Sequence, residues 1–163
     1  MRAVEAFLLH FDHAWDHRWE SLTQVLVGVD EVEAAWQALG YADVEREAGW
    51  PSPGTVHGQV AHIAHCKRYY ALMISQRDHS GRPPAPPRTP DLTYAQEVAE
   101  LQAAHAAQRA ALATLTDADL DGRVGNAMGV AEFVAMCTRH DAWHAAQIAV
   151  ARRLYRTRPR GPE

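Results

Sequence analysis

The chain has 163 residues, enough for one ordinary domain and too few for two well-packed ones. Its formal charge is −4, from 16 Lys and Arg against 20 Asp and Glu, which disfavours non-specific nucleic-acid binding through clustered cations. A hydrophobic content of 47% excludes global disorder, and no apolar run approaches the roughly 20 residues of a membrane span. The stretch Phe7-Leu8-Leu9 is too short for a secretory signal peptide. We therefore expect neither a nucleic-acid partner nor a membrane attachment.

Cysteine and histidine usage narrows the class of protein further. The two cysteines, Cys66 and Cys137, fit free thiols in a reducing cytoplasm better than a disulfide framework. The chain has ten histidines, which is unusually many for its length, so any proposed function should account for them.

Helical periodicity runs along most of the chain, and no segment alternates like a strand over more than a few residues. We predict four long helices, at 3–28, 55–78, 93–115 and 129–156. A short extra helix is expected from Asp30 to Leu39, ending at Gly40, and residues 122–129 are expected to form a loop.

The helix ends carry recognisable capping residues. Ser52 or Thr55 is the expected N-cap of the second long helix. Thr93 and Gln96 have capping-box spacing at the start of the third.

A proline-rich stretch at 82–87, Arg-Pro-Pro-Ala-Pro-Pro, must end the second helix, because proline lacks the amide donor. It forms a long extended connector, which favours a bundle in which one connection crosses over. The predicted fold is therefore all-α, a single four-helix bundle over residues 1–157 with a frayed tail at 158–163.

Apolar residues mark the buried faces when successive helical residues are placed about 100° apart. On the first long helix they are Val4, Phe11, Trp15, Leu22, Leu26 and Val29. On the second they are Val56, Val60, Ile63, Cys66 and Tyr70. On the fourth they are Val130, Phe133, Cys137, Ile148, Ala151 and Tyr155.

The same geometry separates the histidines into inward and outward groups. His144 falls at the centre of the fourth helix's stripe, and His140 lies about 50° to its side. His62 lies about 80° from the centre of the second helix's stripe, at its boundary. We expect the other histidines of the first two helices to meet water; they are His10, His13, His17, His57 and His65.

His62, His140 and His144 are the candidate metal ligands, because three imidazoles supply an open site and a metal offsets the cost of burying them. An alternative is that the buried imidazoles only hydrogen-bond; the candidate partners are Gln147, Asp141, Gln108 or a backbone carbonyl. A closed structural site would need a fourth ligand, for which the candidates are Cys66, Cys137 and His105. Cysteine as a small apolar filler is the simpler interpretation of both thiols.

Three stretches of the chain resemble the DinB-like (DinB/YfiT) superfamily of metal-binding four-helix bundles. The first runs from Gly49-Trp50-Pro51 through the segment 55–63, which ends in His62-Ile63, and the second is the acidic turn 115–121. The third and most specific is 140–148, His-Asp-Ala-Trp-His-Ala-Ala-Gln-Ile, which is similar to the family's His-x-x-x-His-x-Gly-Gln-Ile helix. Ala146 stands where that family commonly has glycine.

The resemblance implies the same three ligands, His62, His140 and His144, around a divalent ion such as zinc or nickel in an open shell. It also implies an up-down-down-up bundle that is frequently dimeric. Characterised relatives include transferases and isomerases that use low-molecular-weight thiols such as bacillithiol or mycothiol.

Together these observations favour a cytoplasmic, homodimeric, metal-dependent thiol S-transferase whose partners are a small-molecule thiol and an electrophile. The alternatives are a metal-dependent hydrolase and a non-enzymatic, stress-related metal-binding protein. In either enzyme the histidines would only hold the ion, and no catalytic residue is assigned. Asp141 and Gln147 are candidates for orienting an imidazole, and the alternative is that they form hydrogen bonds at the surface or between helices.

Overall fold

The computed structural model describes residues 2–19, 21–37, 54–77, 83–89, 91–125 and 128–159. Its helices are α1 (Ala3–Trp15), α2 (Leu22–Leu26), α3 (Glu31–Ala35), α4 (Val56–Ser75), α5 (Tyr94–Ala113) and α6 (Val130–Thr157). A 3-10 turn at Asp117–Asp121 and a short antiparallel hairpin, β1 (Arg123–Val124) with β2 (Met128–Gly129), lie between α5 and α6. The protein is mostly helical, with α4 packed against α5 and α6, and α1 packed against α5 and α6.

The predicted helices at 55–78, 93–115 and 129–156 are confirmed to within a few residues as α4, α5 and α6. The hydroxyl of Thr55 caps α4 by accepting from the backbone N–H of Gly58 at 2.9 Å, and Thr93 forms the expected capping box with Gln96. Ser52, the other N-cap candidate, lies outside the described residues. The predicted loop 122–129 contains the small hairpin instead of loop alone.

The prediction of one helix over 3–28 is wrong, because α1 ends at Trp15 and α2 begins only at Leu22. Local polar side chains explain the interruption. The hydroxyl of Ser21 accepts from the backbone N–H of Gln24, and Asp16 accepts from the Thr23 hydroxyl at 2.7 Å. Side chains that bond nearby groups in this way compete with a continuous helical backbone.

The short extra helix is confirmed as α3, although it covers five residues only. The Asp30 carboxylate caps it by accepting from the backbone N–H of Glu33 at 2.7 Å. Glu33 in turn pairs with the buried Arg152 of α6 at 2.8 Å, which ties α3 to the longest helix. The expected end of this helix, Gly40, lies outside the described residues.

Two apolar clusters form the core, one toward each end of α4. The first includes Phe11, Ile74, Leu112, Val130 and Phe133. The second includes Leu22, Val60, Ile63, Leu101 and Ile148. On each of the three longest helices, the residues between the two clusters contribute buried polar side chains, which are Lys67, His105, Gln108 and Asp141.

The last helix ends at Thr157, and the guanidinium of Arg158 lies over the ring of Tyr155 at 3.5 Å. Residues 160–163 of the expected tail lie outside the described part of the chain. None of the helices in the described residues combines the length and the apolar character that crossing a membrane requires.

Candidate metal site

Three imidazole rings from the two halves of the chain lie side by side inside the bundle. His62 is on α4, while His140 and His144 are one turn apart on α6. The ring centroid of His62 lies 5.4 Å from that of His140 and 4.9 Å from that of His144. The Nε2 atoms of His140 and His144 are 3.2 Å apart. The structure therefore brings together the three side chains that the sequence selects as candidate ligands.

The burial of these histidines follows the helical faces on which they lie. His144 is 5% exposed, on the stripe that continues to Ile148. His62 and His140 are half-buried, as expected for positions beside the centre of a stripe. His10, His13 and His17 are exposed as predicted, whereas His57 and His65 are half-buried and not freely solvated.

The buried amide of Gln59 orients His144. Its Oε1 accepts a hydrogen bond from Nδ1–H of His144. An amide oxygen can only accept, so the proton of the neutral imidazole lies on Nδ1 and the Nε2 lone pair is free to face His140. This is the arrangement by which a second residue fixes the tautomer and the orientation of a metal-binding histidine.

Burial keeps all three imidazoles in the neutral form that can bind a metal. It is the main cause that lowers the pKa of His140 to about 3 and that of His144 to about 4, and it also lowers the pKa of His62. The neighbouring imidazoles add to the effect, because a second positive charge so close is unfavourable. At neutral pH no proton has to leave these rings before they ligate.

Cys66 belongs to the same cluster. Its Sγ lies 3.5 Å from Nε2 of His62, and ligand atoms of His62, Cys66 and His140 all lie within 4.8 Å of one another. The second thiol, Cys137, is buried beside Gln108, and burial raises its pKa to about 12. The filler interpretation therefore describes Cys137 well, while Cys66 stands among the histidines.

The residues present fit a divalent ion of the zinc type. Imidazole nitrogen and thiol sulfur are the donors such ions take in proteins. Two nitrogens bound tetrahedrally to zinc are about 3.3 Å apart, given Zn–N bonds of about 2.05 Å. The 3.2 Å between the Nε2 atoms of His140 and His144 matches this spacing.

A second buried polar cluster adjoins the histidines. The Lys67 ammonium, only 1% exposed, donates to Asp141 at 2.5 Å and to Gln108 at 3.3 Å. His105 faces the same ammonium at 3.3 Å and stacks on the ring of Trp15, with centroids 3.8 Å apart. His105 is therefore not placed to be a fourth ligand.

The sequence made Asp141 a candidate either for orienting an imidazole or for a hydrogen bond at the surface or between helices. In the structure its partner is on another helix and is not an imidazole. The Asp141 carboxylate pairs with Lys67, and Gln59 accepts from His144. Lys67 could have been found, because it follows Val60 and Ile63 at helical spacing on the buried face. Gln147 is half-buried one turn after His144 and stays a candidate for orienting it.

The sequence profile of the DinB superfamily matches residues 14–148. The matched range contains all of α4 and α5 and the whole histidine cluster, including the part of α6 that carries His140 and His144. No curated protein and no solved structure matches the chain at a significant level.

Proposed function

The chain belongs to the DinB superfamily, and on this basis we propose that it binds a divalent metal ion and acts as a metal-dependent thiol S-transferase. The ligands we propose are His62, His140 and His144. The observation that carries the proposal is the convergence of these rings from α4 and α6, with centroids 4.5 to 5.4 Å apart. Zinc or nickel, the up-down-down-up helix order and the homodimer are expectations from the family resemblance.

Three neutral imidazoles would leave the ion its full positive charge and one position for a further ligand. When bound, such an ion would favour the thiolate form of a coordinating thiol, and that thiolate would displace a leaving group from the electrophile, such as the chloride of monochlorobimane. The protein's own residues supply orientation: Gln59 fixes the tautomer of His144. The rings of Tyr70 and His140 are nearly perpendicular, with centroids 5.5 Å apart.

A thiol-transfer assay tests this function directly. Protein stripped with a chelator and then reloaded with zinc or nickel is mixed with bacillithiol or mycothiol and the electrophile monochlorobimane. We expect turnover that requires the metal, that His144→Ala abolishes and that the surface variant His13→Ala retains. Equal rates in stripped and reloaded protein, or no turnover with any thiol, would contradict the transferase proposal.

A second candidate function is a non-enzymatic metal-binding protein, and the position of Cys66 is what favours it. Structural metal sites are closed by four protein ligands. A protein that binds one ion per chain but supports no thiol transfer would agree with this alternative. Metal-dependent hydrolysis of a simple ester, again lost in His144→Ala, would favour the hydrolase.

A further inference from the structure

We propose that Sγ of Cys66 is the fourth ligand of the ion held by the three histidines, so that the protein's own thiolate closes the coordination shell. The inference rests on the metal site proposed above and adds one consequence for its chemistry. In a shell of four ligands, a small external thiol binds the ion by replacing Cys66.

Two distances between donor atoms agree with a shell of three nitrogens and one sulfur, and the ligand atoms of His62, Cys66 and His140 lie within 4.8 Å of one another. With Zn–N bonds of about 2.05 Å and a Zn–S bond of about 2.3 Å, a tetrahedral ion separates nitrogen and sulfur by about 3.6 Å. The observed distance from Cys66 Sγ to His62 Nε2 is 3.5 Å. Together with the 3.2 Å between the Nε2 atoms of His140 and His144, two edges of the tetrahedron have the expected lengths.

The helices supply these four donors as two matched pairs. His62 and Cys66 are four residues apart on α4, and His140 and His144 are four residues apart on α6. Residues at this spacing lie one above the other on one helix face. Cys137 precedes His140 by three residues, yet its neighbour is Gln108 of α5 and not a histidine. The chain thus offers one thiol inside the cluster and one outside it.

The Tyr70 hydroxyl also hydrogen-bonds the sulfur of Cys66. The competing interpretation is a simple S–H···N hydrogen bond to His62, which needs no metal.

Cobalt(II) spectroscopy separates the two interpretations, because sulfur ligation produces a near-ultraviolet charge-transfer band that nitrogen ligation lacks. Chelator-stripped wild type, Cys66→Ser and the matched control Cys137→Ser are each loaded with one equivalent of cobalt(II). Their folding is checked by circular dichroism. We expect the band in wild type and in Cys137→Ser, and its loss in Cys66→Ser with the cobalt still bound.

A rescue experiment tests the consequence for external thiols. Cobalt-loaded Cys66→Ala, which lacks the band, is titrated with 2-mercaptoethanol, and we expect the charge-transfer band to return as the small thiol takes the vacant position. Failure of the band to return would overturn the claim that an external thiol can replace Cys66.

The outcomes also distinguish this inference from the function on which it rests. Cobalt bound to wild type without the sulfur band, or a band that persists in Cys66→Ser, overturns the assignment of Cys66 and leaves the histidine site standing. No cobalt uptake by wild type overturns both.

Discussion

Replacing Lys67 with Met would leave the carboxylate of Asp141 buried without its cation. Both side chains are 1% exposed, and the ammonium and carboxylate are 2.5 Å apart. Burial raises the pKa of Asp141, and the charge of Lys67 is the main influence that opposes this rise. Removing one member of a buried ion pair costs about 3–5 kcal/mol.

The cost has an upper limit, because the unpaired carboxyl can take up a proton. Protonating a group with an ordinary pKa of 3.8 costs about 1.4 kcal/mol for each pH unit above that value. The limit is therefore about 4.4 kcal/mol at pH 7 and about 1.6 kcal/mol at pH 5. In the folded variant the pKa of Asp141 is raised, so the folded protein binds a proton more readily than the unfolded chain. The variant is therefore destabilised more as the pH rises.

Urea unfolding of the metal-free proteins at pH 7 and pH 5 measures both values. The control is the double variant Lys67→Met/Asp141→Leu, which has no carboxyl to protonate and should be more stable than the single variant at pH 7. If Lys67→Met lowers the free energy of unfolding equally at both pH values, or by less than about 1 kcal/mol at pH 7, the reasoning is refuted.

Three further predictions concern the histidines and the helix that carries His62. The free energy of unfolding of the metal-free protein should fall as the pH drops below 6.5, because His140 and His144 stay neutral in the folded protein and bind protons in the unfolded chain. The loss is up to about 1.4 kcal/mol per pH unit for each histidine. Urea unfolding that is unchanged between pH 6.5 and 4.5 would contradict this. Gln59→Leu should weaken metal affinity about 10- to 100-fold, because it removes the hydrogen-bond acceptor for His144. The control Gln59→Glu keeps an acceptor, and titration against a competing chelator measures the affinity of both variants. Thr55→Ala should cost about 1 kcal/mol of unfolding free energy through the lost cap of α4, with Thr55→Ser as the control, and an unchanged urea midpoint would refute the cap.

Helical periodicity was sufficient to place the three longest helices and to predict that His62, His140 and His144 are at least partly buried. The reason is that a face repeats every turn, so the apolar stripes around His144 and His62 can be read locally. The periodicity could not show where side-chain hydrogen bonds end a helix. The break between Trp15 and Leu22 depends on side-chain hydrogen bonds of Asp16 and Ser21, which do not alter the apolar pattern.

The partners of the buried polar groups were the least predictable part of the site. Lys67 and Asp141 are 74 residues apart in sequence, and nothing local couples them. Gln59 and His144 are separated by 85 residues. Which polar side chain faces which depends on how α4 and α6 are rotated against each other, and only the packed structure fixes that rotation.

Elemental analysis of the chelator-stripped and reloaded protein tests most directly whether His62, His140 and His144 share one ion. We predict one divalent ion per chain in the wild type, and its loss in His62→Ala, His140→Ala and His144→Ala. The surface variant His13→Ala, which disrupts the exposed pair with His17, should retain the ion. A folded His144→Ala protein that holds as much metal as the wild type would contradict the site.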